Sequence, residues 1–218
     1  MSKGQFDKFG IKHLSASSLN LFRTAPALWV VRYLYNIKDE SSPAMQRGLD
    51  AEKAAYDRLC GVENPYNPEM IDGILKELEP YGPLVSYQRE LLYQPIGFPI
   101  PIKGFLDFEF ESACVDLKTK RSMPKAIDYS HRLQGAFYAM ATGKDQHFLY
   151  ATDKKAQVIP LEDASGSAAE LMAICRSVEK FLSVSDDPEE LATMLFPDMT
   201  AFQWGDNSRK AAQEIWQL

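Results

Sequence analysis

Gly104-Phe105-Leu106-Asp107-Phe108-Glu109-Phe110-Glu111-Ser112-Ala113-Cys114-Val115-Asp116-Leu117-Lys118 is the stretch that decides the fold. Apolar and polar residues alternate on both sides of Glu111-Ser112, the pattern of two strands joined by a two-residue turn. With those two residues as the loop, Asp107 falls directly opposite Asp116 and their side chains share one face. Lys118 lies two residues beyond Asp116 on that face, while Leu106, Phe108, Val115 and Leu117 point to the other. The apolar face suffices for folding, so a core does not explain the acids. Opposed carboxylates repel and raise each other's pKa unless a cation lies between them. The pair therefore predicts a hard cation, Mg²⁺ or Mn²⁺, or a shared proton. The Leu117 carbonyl stands at the right level to add an oxygen ligand. Lys118 is placed to orient or deprotonate a water, or to stabilise charge developing on a phosphate. Ordinary surface charges on a solvent-facing strand pair are the competing reading.

Outward from this hairpin, Leu84–Tyr93, Ile100–Phe110 and Ala113–Thr119 read as a three-stranded antiparallel meander. Upstream lie helices. Ser15 caps Ala16–Arg23, Pro26 opens a segment to about Tyr35, Ala44–Leu59 ends at Gly61, and Asn67-Pro68 opens a helix through Leu78. Downstream, a helix over about Ile127–Ala141 stops at Gly143, and His147–Thr152 with Ala156–Leu161 form a hairpin. The tail from Asp163 is helical, broken at Asp187-Pro188 and Phe196-Pro197, with Trp204 and Trp216 packing it back onto the body. No repeat and no long linker interrupts the 218 residues, which predicts one domain over 1–218, with a core over about 15–161 and a helical extension over 162–218.

Composition bounds the partners. The chain is 45% hydrophobic and 25% charged, which excludes a low-complexity or largely disordered protein. Three widely spaced cysteines, Cys60, Cys114 and Cys175, do not make a disulfide framework and fit a reducing, cytoplasmic setting. Met1–Ser15 has no apolar core, and Ala27–Val31 is too short to span a bilayer, so no membrane association is expected. The net charge of −6 argues against a nucleic-acid partner on average, but its distribution is uneven. Residues 118–144 hold six bases and one acid, against four bases and eleven acids in 162–218. A cationic face on an acidic body and a merely solvated helix face both fit that count. His13, His131 and His147 lack zinc-ligand spacing.

Asp107 followed by Asp116-Leu117-Lys118 resembles the PD-(D/E)XK nuclease superfamily, and in particular its RecB-like and CRISPR-associated exonuclease branch. Three further motifs agree with that branch in order and spacing. Gly48-Leu49-Asp50-Ala51-Glu52 is similar to its Gly-x-x-x-His/Glu helix, Gln134-Gly135-Ala136-Phe137-Tyr138 to its Gln-x-x-x-Tyr pair, and Ser15-Ala16-Ser17-Ser18-Leu19 to its Ser-x-Ser-x-Leu opening. The resemblance covers Ser15 to Leu161. It implies an α/β restriction-endonuclease-like core, a central mixed sheet flanked by helices, with helical N- and C-terminal additions. Two departures stand out. Ala25-Pro26 replaces the Cys-Pro of iron–sulfur members, whose C-terminal cysteine cluster is also missing, so no iron–sulfur cluster is expected. Asp116 stands where many members have Glu.

By the same resemblance, one or two Mg²⁺ or Mn²⁺ ions would be held by Glu52, Asp107, Asp116 and the Leu117 carbonyl, with Lys118 assisting. Gln134 would hold a water or phosphate and Tyr138 would contact the nucleic-acid strand, while Lys120, Arg121, Lys125, Arg132 and Arg23 would follow the phosphate backbone. The activity implied is a metal-dependent DNA exonuclease serving recombination, repair or processing on DNA with a free end. An annealing protein, recombinase or helicase would be its partner on another chain, since no ATP-binding motif is present here. The rivals are a nucleic-acid-binding protein that is non-catalytic or activated by a partner, and a site-specific restriction-type endonuclease.

Overall fold

Local sequence signals set most element boundaries. The computed structural model describes residues 4–218, which divide into two compact units. One comprises the chain to Glu40 with Leu92–Lys103 and Ala169–Leu218; the other comprises Ser41–Leu91 and Gly104–Ala168.

In the first unit, α1 (Gly4–Lys8) buries Phe6, a helix that the sequence pattern does not announce; residues 1–3 of the N-terminal stretch lie outside the described residues. Ser15 caps α2 (Ala16–Thr24) through a reciprocal capping box with Ser18. Pro26 sits in the first turn of α3 (Pro26–Tyr33), where its missing N–H leaves no hydrogen bond unmade. α7 (Ala164–Leu182) runs into this unit, followed by α8 (Pro188–Thr193) and α9 (Asp206–Ile215). Trp204 and Ala212 are buried against Ala27, Leu28 and Val31, with Trp216 alongside, as expected of the tail tryptophans. Asp39 ties this unit together, accepting from Arg32, the Gly205 and Ser208 amides and the Ser208 hydroxyl.

In the second unit, α4 (Pro43–Leu59) and α5 (Pro68–Leu78), capped by Ser42 and Asn67, precede a sheet of order β1-β2-β3-β4-β5. Its strands are β1 (Ser86–Tyr93), β2 (Ile102–Glu109), β3 (Ala113–Thr119), β4 (Asp145–Ala151) and β5 (Ala156–Pro160). β2 and β3 pair antiparallel with Phe108 opposite Val115 and Glu109 opposite Cys114, the register the two-residue turn dictates. β3 and β4 are parallel, and α6 (Tyr129–Thr142) supplies the crossover that parallel strands require. β4 and β5 close the sheet as an antiparallel hairpin. The expected mixed sheet flanked by helices is therefore the fold.

One face of the sheet is apolar. Phe108, Phe110, Val115, Leu117, Leu149 and Ala151 pack with Ala51, Ala54 and Ala55 of α4 and Met70, Ile71, Ile74 and Leu78 of α5. Each large side chain there contributes ~1.5–3 kcal/mol of burial, enough to carry polar groups on the opposite face at a cost. On that opposite face, glycine lets α6 come close. A Cβ on Gly104 would stand 2.6 Å from the Phe137 ring, and one on Gly135 would stand 2.9 Å from Leu161. A Cβ on Gly48, by contrast, would meet Thr119 at an ordinary 3.6 Å. No helix among the described residues is long and apolar enough to cross a membrane.

Candidate active site

The hairpin brings Asp107 and Asp116 onto one face, 8% and 2% exposed, the depth at which a carboxylate needs donors or a cation. Asp107 has one good donor: the Leu117 amide donates to its Oδ2 at 2.9 Å across the strand pair. Asp116 is ion-paired with Lys118 through Oδ2, and the Tyr138 hydroxyl lies beside the same buried carboxylate. Burial raises the Asp107 pKa well above the usual range, and the neighbouring Asp116 charge raises it further. Burial also raises Asp116, with Lys118 opposing. Burial alone would lower Lys118, but the carboxylates of Asp116 and Asp107 push it up.

Glu52, on α4, is buried and joins this electrostatic group, its pKa raised by burial and to a lesser degree by Asp116. It meets a residue that sequence reasoning passed over. Gln88 of β1 donates its side-chain amide to Glu52 Oε1 and lies 3.4 Å from Asp107 Oδ1, bridging the two acids. Gln88 has φ of 50°, in the left-handed region where a side chain costs ~1–3 kcal/mol. The adjacent Tyr87 hydroxyl also lies beside Glu52. A glutamine in a polar strand sequence carries no local signal for this conformation. Among the described residues, no three His, Cys, Asp or Glu side chains close into a ready metal cage. The Gln88 amide and the Lys118 ammonium stand where the acids would otherwise turn to one another. Asp107, Asp116 and Glu52, three buried carboxylates in one electrostatic group, nevertheless have the chemistry of hard-cation ligands, so the residues fit a hard divalent ion.

α6 faces the same side of the sheet. Gln134 Nε2 donates to the Tyr138 hydroxyl at 2.7 Å, and that hydroxyl donates to the Phe105 carbonyl at 2.5 Å. Tyr138, expected to contact a nucleic-acid strand, is only 2% exposed; its hydroxyl anchors α6 to β2, and it leaves little surface for a strand to touch. Among the expected phosphate contacts, Lys120 is paired with Asp128 at 2.5 Å, a surface pair that a phosphate can replace at little cost. Arg121 and Lys125 are exposed or half-exposed, and the Arg132 guanidinium lies 5.0 Å from the centre of the Tyr129 ring. Arg23 lies in the other unit, on α2, where it donates to Asn20. His131 Nδ1 meets the Tyr150 hydroxyl at 2.8 Å, and burial lowers its pKa to about 3. It is therefore neutral beside Asp128.

No protein-family model matches the chain. No curated protein matches its sequence. Among solved structures, SSO0001 aligns over 74% of this chain and 86% of its own at 17% identity, with a TM-score of 0.38. The crystal structure of a candidate exonuclease from Eubacterium rectale aligns over 95% of this chain and 90% of its own, at 16% identity and a TM-score of 0.60. The chain thus shares, over nearly its whole length, the α/β fold of that Eubacterium rectale protein.

Proposed function

We propose that this protein is a metal-dependent deoxyribonuclease that hydrolyses phosphodiester bonds from a free DNA end. The observation that carries the proposal is Asp116. A carboxylate this buried, sharing its face with a second acid, Asp107, and with the Lys118 ammonium, is costly for folding and suited to a cation. The name of the Eubacterium rectale relative supports the nuclease class.

Glu52, Asp107 and Asp116 would hold the ion, with the Leu117 carbonyl as a further oxygen donor. When bound, Mg²⁺ or Mn²⁺ supplies Lewis-acid polarisation of the phosphate and a more acidic water. Lys118, held as an ammonium by its ion pair with Asp116, opposes negative charge as it builds on the phosphate oxygens. It acts as a cation rather than a base, because a group that is already protonated takes up no proton. Gln134 has committed an N–H to Tyr138, which orients its amide and leaves the carbonyl oxygen to accept from a water. Arg121, Lys125 and Arg132 attract the DNA backbone, so a net charge of −6 does not oppose binding at this face.

The test is digestion of end-labelled linear DNA and closed circular DNA with Mg²⁺, Mn²⁺ or EDTA, comparing the wild type with Lys118→Ala. Metal-dependent loss of the linear substrate alone, absent in the variant, is the expected result. Cutting of the circle at discrete positions would replace the exonuclease by a restriction-type enzyme. Binding of DNA without cleavage under any metal would replace both by a binding protein.

A further inference from the structure

We propose that Gln88 is a positioning residue that clamps the metal-free site, bridging Glu52 to Asp107 through its side-chain amide and competing with the cation for those carboxylates; this rests on the metal-dependent reading above. The geometry is specific. The Gln88 amide donates to Glu52 Oε1 and approaches Asp107 Oδ1 at 3.4 Å, so N–H dipoles point at lone pairs a cation would need. An N–H takes lone-pair density that a cation would use, so the bridge and the ion compete for those oxygens. Gln88 takes the left-handed φ of 50° within β1, a costly backbone for a side chain, at the residue whose amide reaches Glu52. It places a neutral amide between Glu52 and Asp107. A neutral clamp prevents repulsion between the acids before metal arrives, at the expense of metal affinity.

The test needs no DNA and no turnover. Mn²⁺ is titrated by calorimetry into the full chain as wild type, Gln88→Leu and Gln88→Ser, and the melting temperature is read in EDTA and in saturating Mn²⁺. Both variants are expected to bind Mn²⁺ about three- to tenfold more tightly, the equilibrium value of releasing one net hydrogen bond. They are also expected to melt lower than the wild type in EDTA and to recover part of that difference in Mn²⁺. Mere structural damage would weaken binding, so tightening reports the clamp. Equal or weaker binding by both variants, with a wild type that does bind, overturns the clamp alone. A wild type that shows no saturable Mn²⁺ binding overturns the metal-dependent reading itself.

Discussion

Asp107 and Glu109 lie two residues apart on β2, on the same face and almost equally buried, at 8% and 5% exposed, but their surroundings are opposite. Glu109 accepts from Ser86 at 2.6 Å, from Arg89 through two nitrogens at 2.8 and 2.9 Å, and from Lys144 at 2.9 Å. Burial would raise its pKa, but the Ser86, Lys144 and Arg89 partners hold it below the usual glutamate value. Asp107 has the Leu117 amide, a weak approach from Gln88 and a like charge beside it, and its pKa is raised. One carboxylate holds the sheet together, whereas the other weakens it. Asp39 in the other unit repeats the first pattern with four donors. Burial of an acid therefore does not mark a site; burial without donors does.

The largest expected effect is at the unsatisfied member. Asp107→Asn keeps an acceptor for the Leu117 amide and removes the repulsion with Asp116. Cleavage should fall by roughly 10²–10³-fold or more in the linear-DNA assay. The melting temperature in EDTA should rise by about 2–4 °C, the equivalent of ~1 kcal/mol in a chain of this size. A variant that loses stability would break the contrast, because Asp107 would then be a structural acid like Glu109.

Glu109→Gln is the mirror experiment. Stability should fall by about 2 kcal/mol, less than for a fully buried pair because Arg89 reaches solvent, as measured by urea unfolding. Cleavage should stay near wild type at a temperature where the variant is folded. Loss of cleavage in a folded Glu109→Gln protein would extend the site one pleat further along β2.

A smaller effect is expected at Asp39. Its burial favours a raised pKa, but the Ser208 hydroxyl and amide, Arg32 and the Gly205 amide hold it below the usual aspartate value of 3.8. A depressed carboxylate adds stability that is present above its unfolded pKa and disappears as the pH falls through the folded one. Asp39→Asn should therefore cost about 1–2 kcal/mol at neutral pH, shrinking below pH ~3.8. A difference that stays constant into acid would mean that packing, not charge, explains the loss. Smallest is Ser15→Ala, which removes the hydroxyl that accepts from the Ser18 amide at the start of α2. It should cost ~1 kcal/mol in urea unfolding without altering metal binding.

Signals carried over a few residues are legible in the chain itself. Ser15, Pro26, Asn67 and Gly143 each act within one turn of chain, and the helices begin or end where these residues require. The Phe108–Val115 register follows from alternation and a two-residue turn, which is why the facing of Asp107 and Asp116 can be derived from spacing alone. The bridging by Gln88 is not legible there, since it depends on a left-handed dihedral in β1 and on acids 36 and 19 residues away. Nor is the burial of Tyr138, which reflects the close approach of α6 permitted by Gly104 and Gly135.

The sequence by itself determined the order of helices and strands from α2 onward, the apolar face of the sheet and the facing of Asp107, Asp116 and Lys118, because periodicity, capping and turn chemistry act locally. Tertiary structure alone decided which buried carboxylates find donors. Glu109 has Ser86, Arg89 and Lys144 within reach, whereas Asp107 has the Leu117 amide and a like charge beside it. Donor supply at a buried acid depends on which distant side chains packing brings within about 3 Å, and no pattern along the chain encodes that distance.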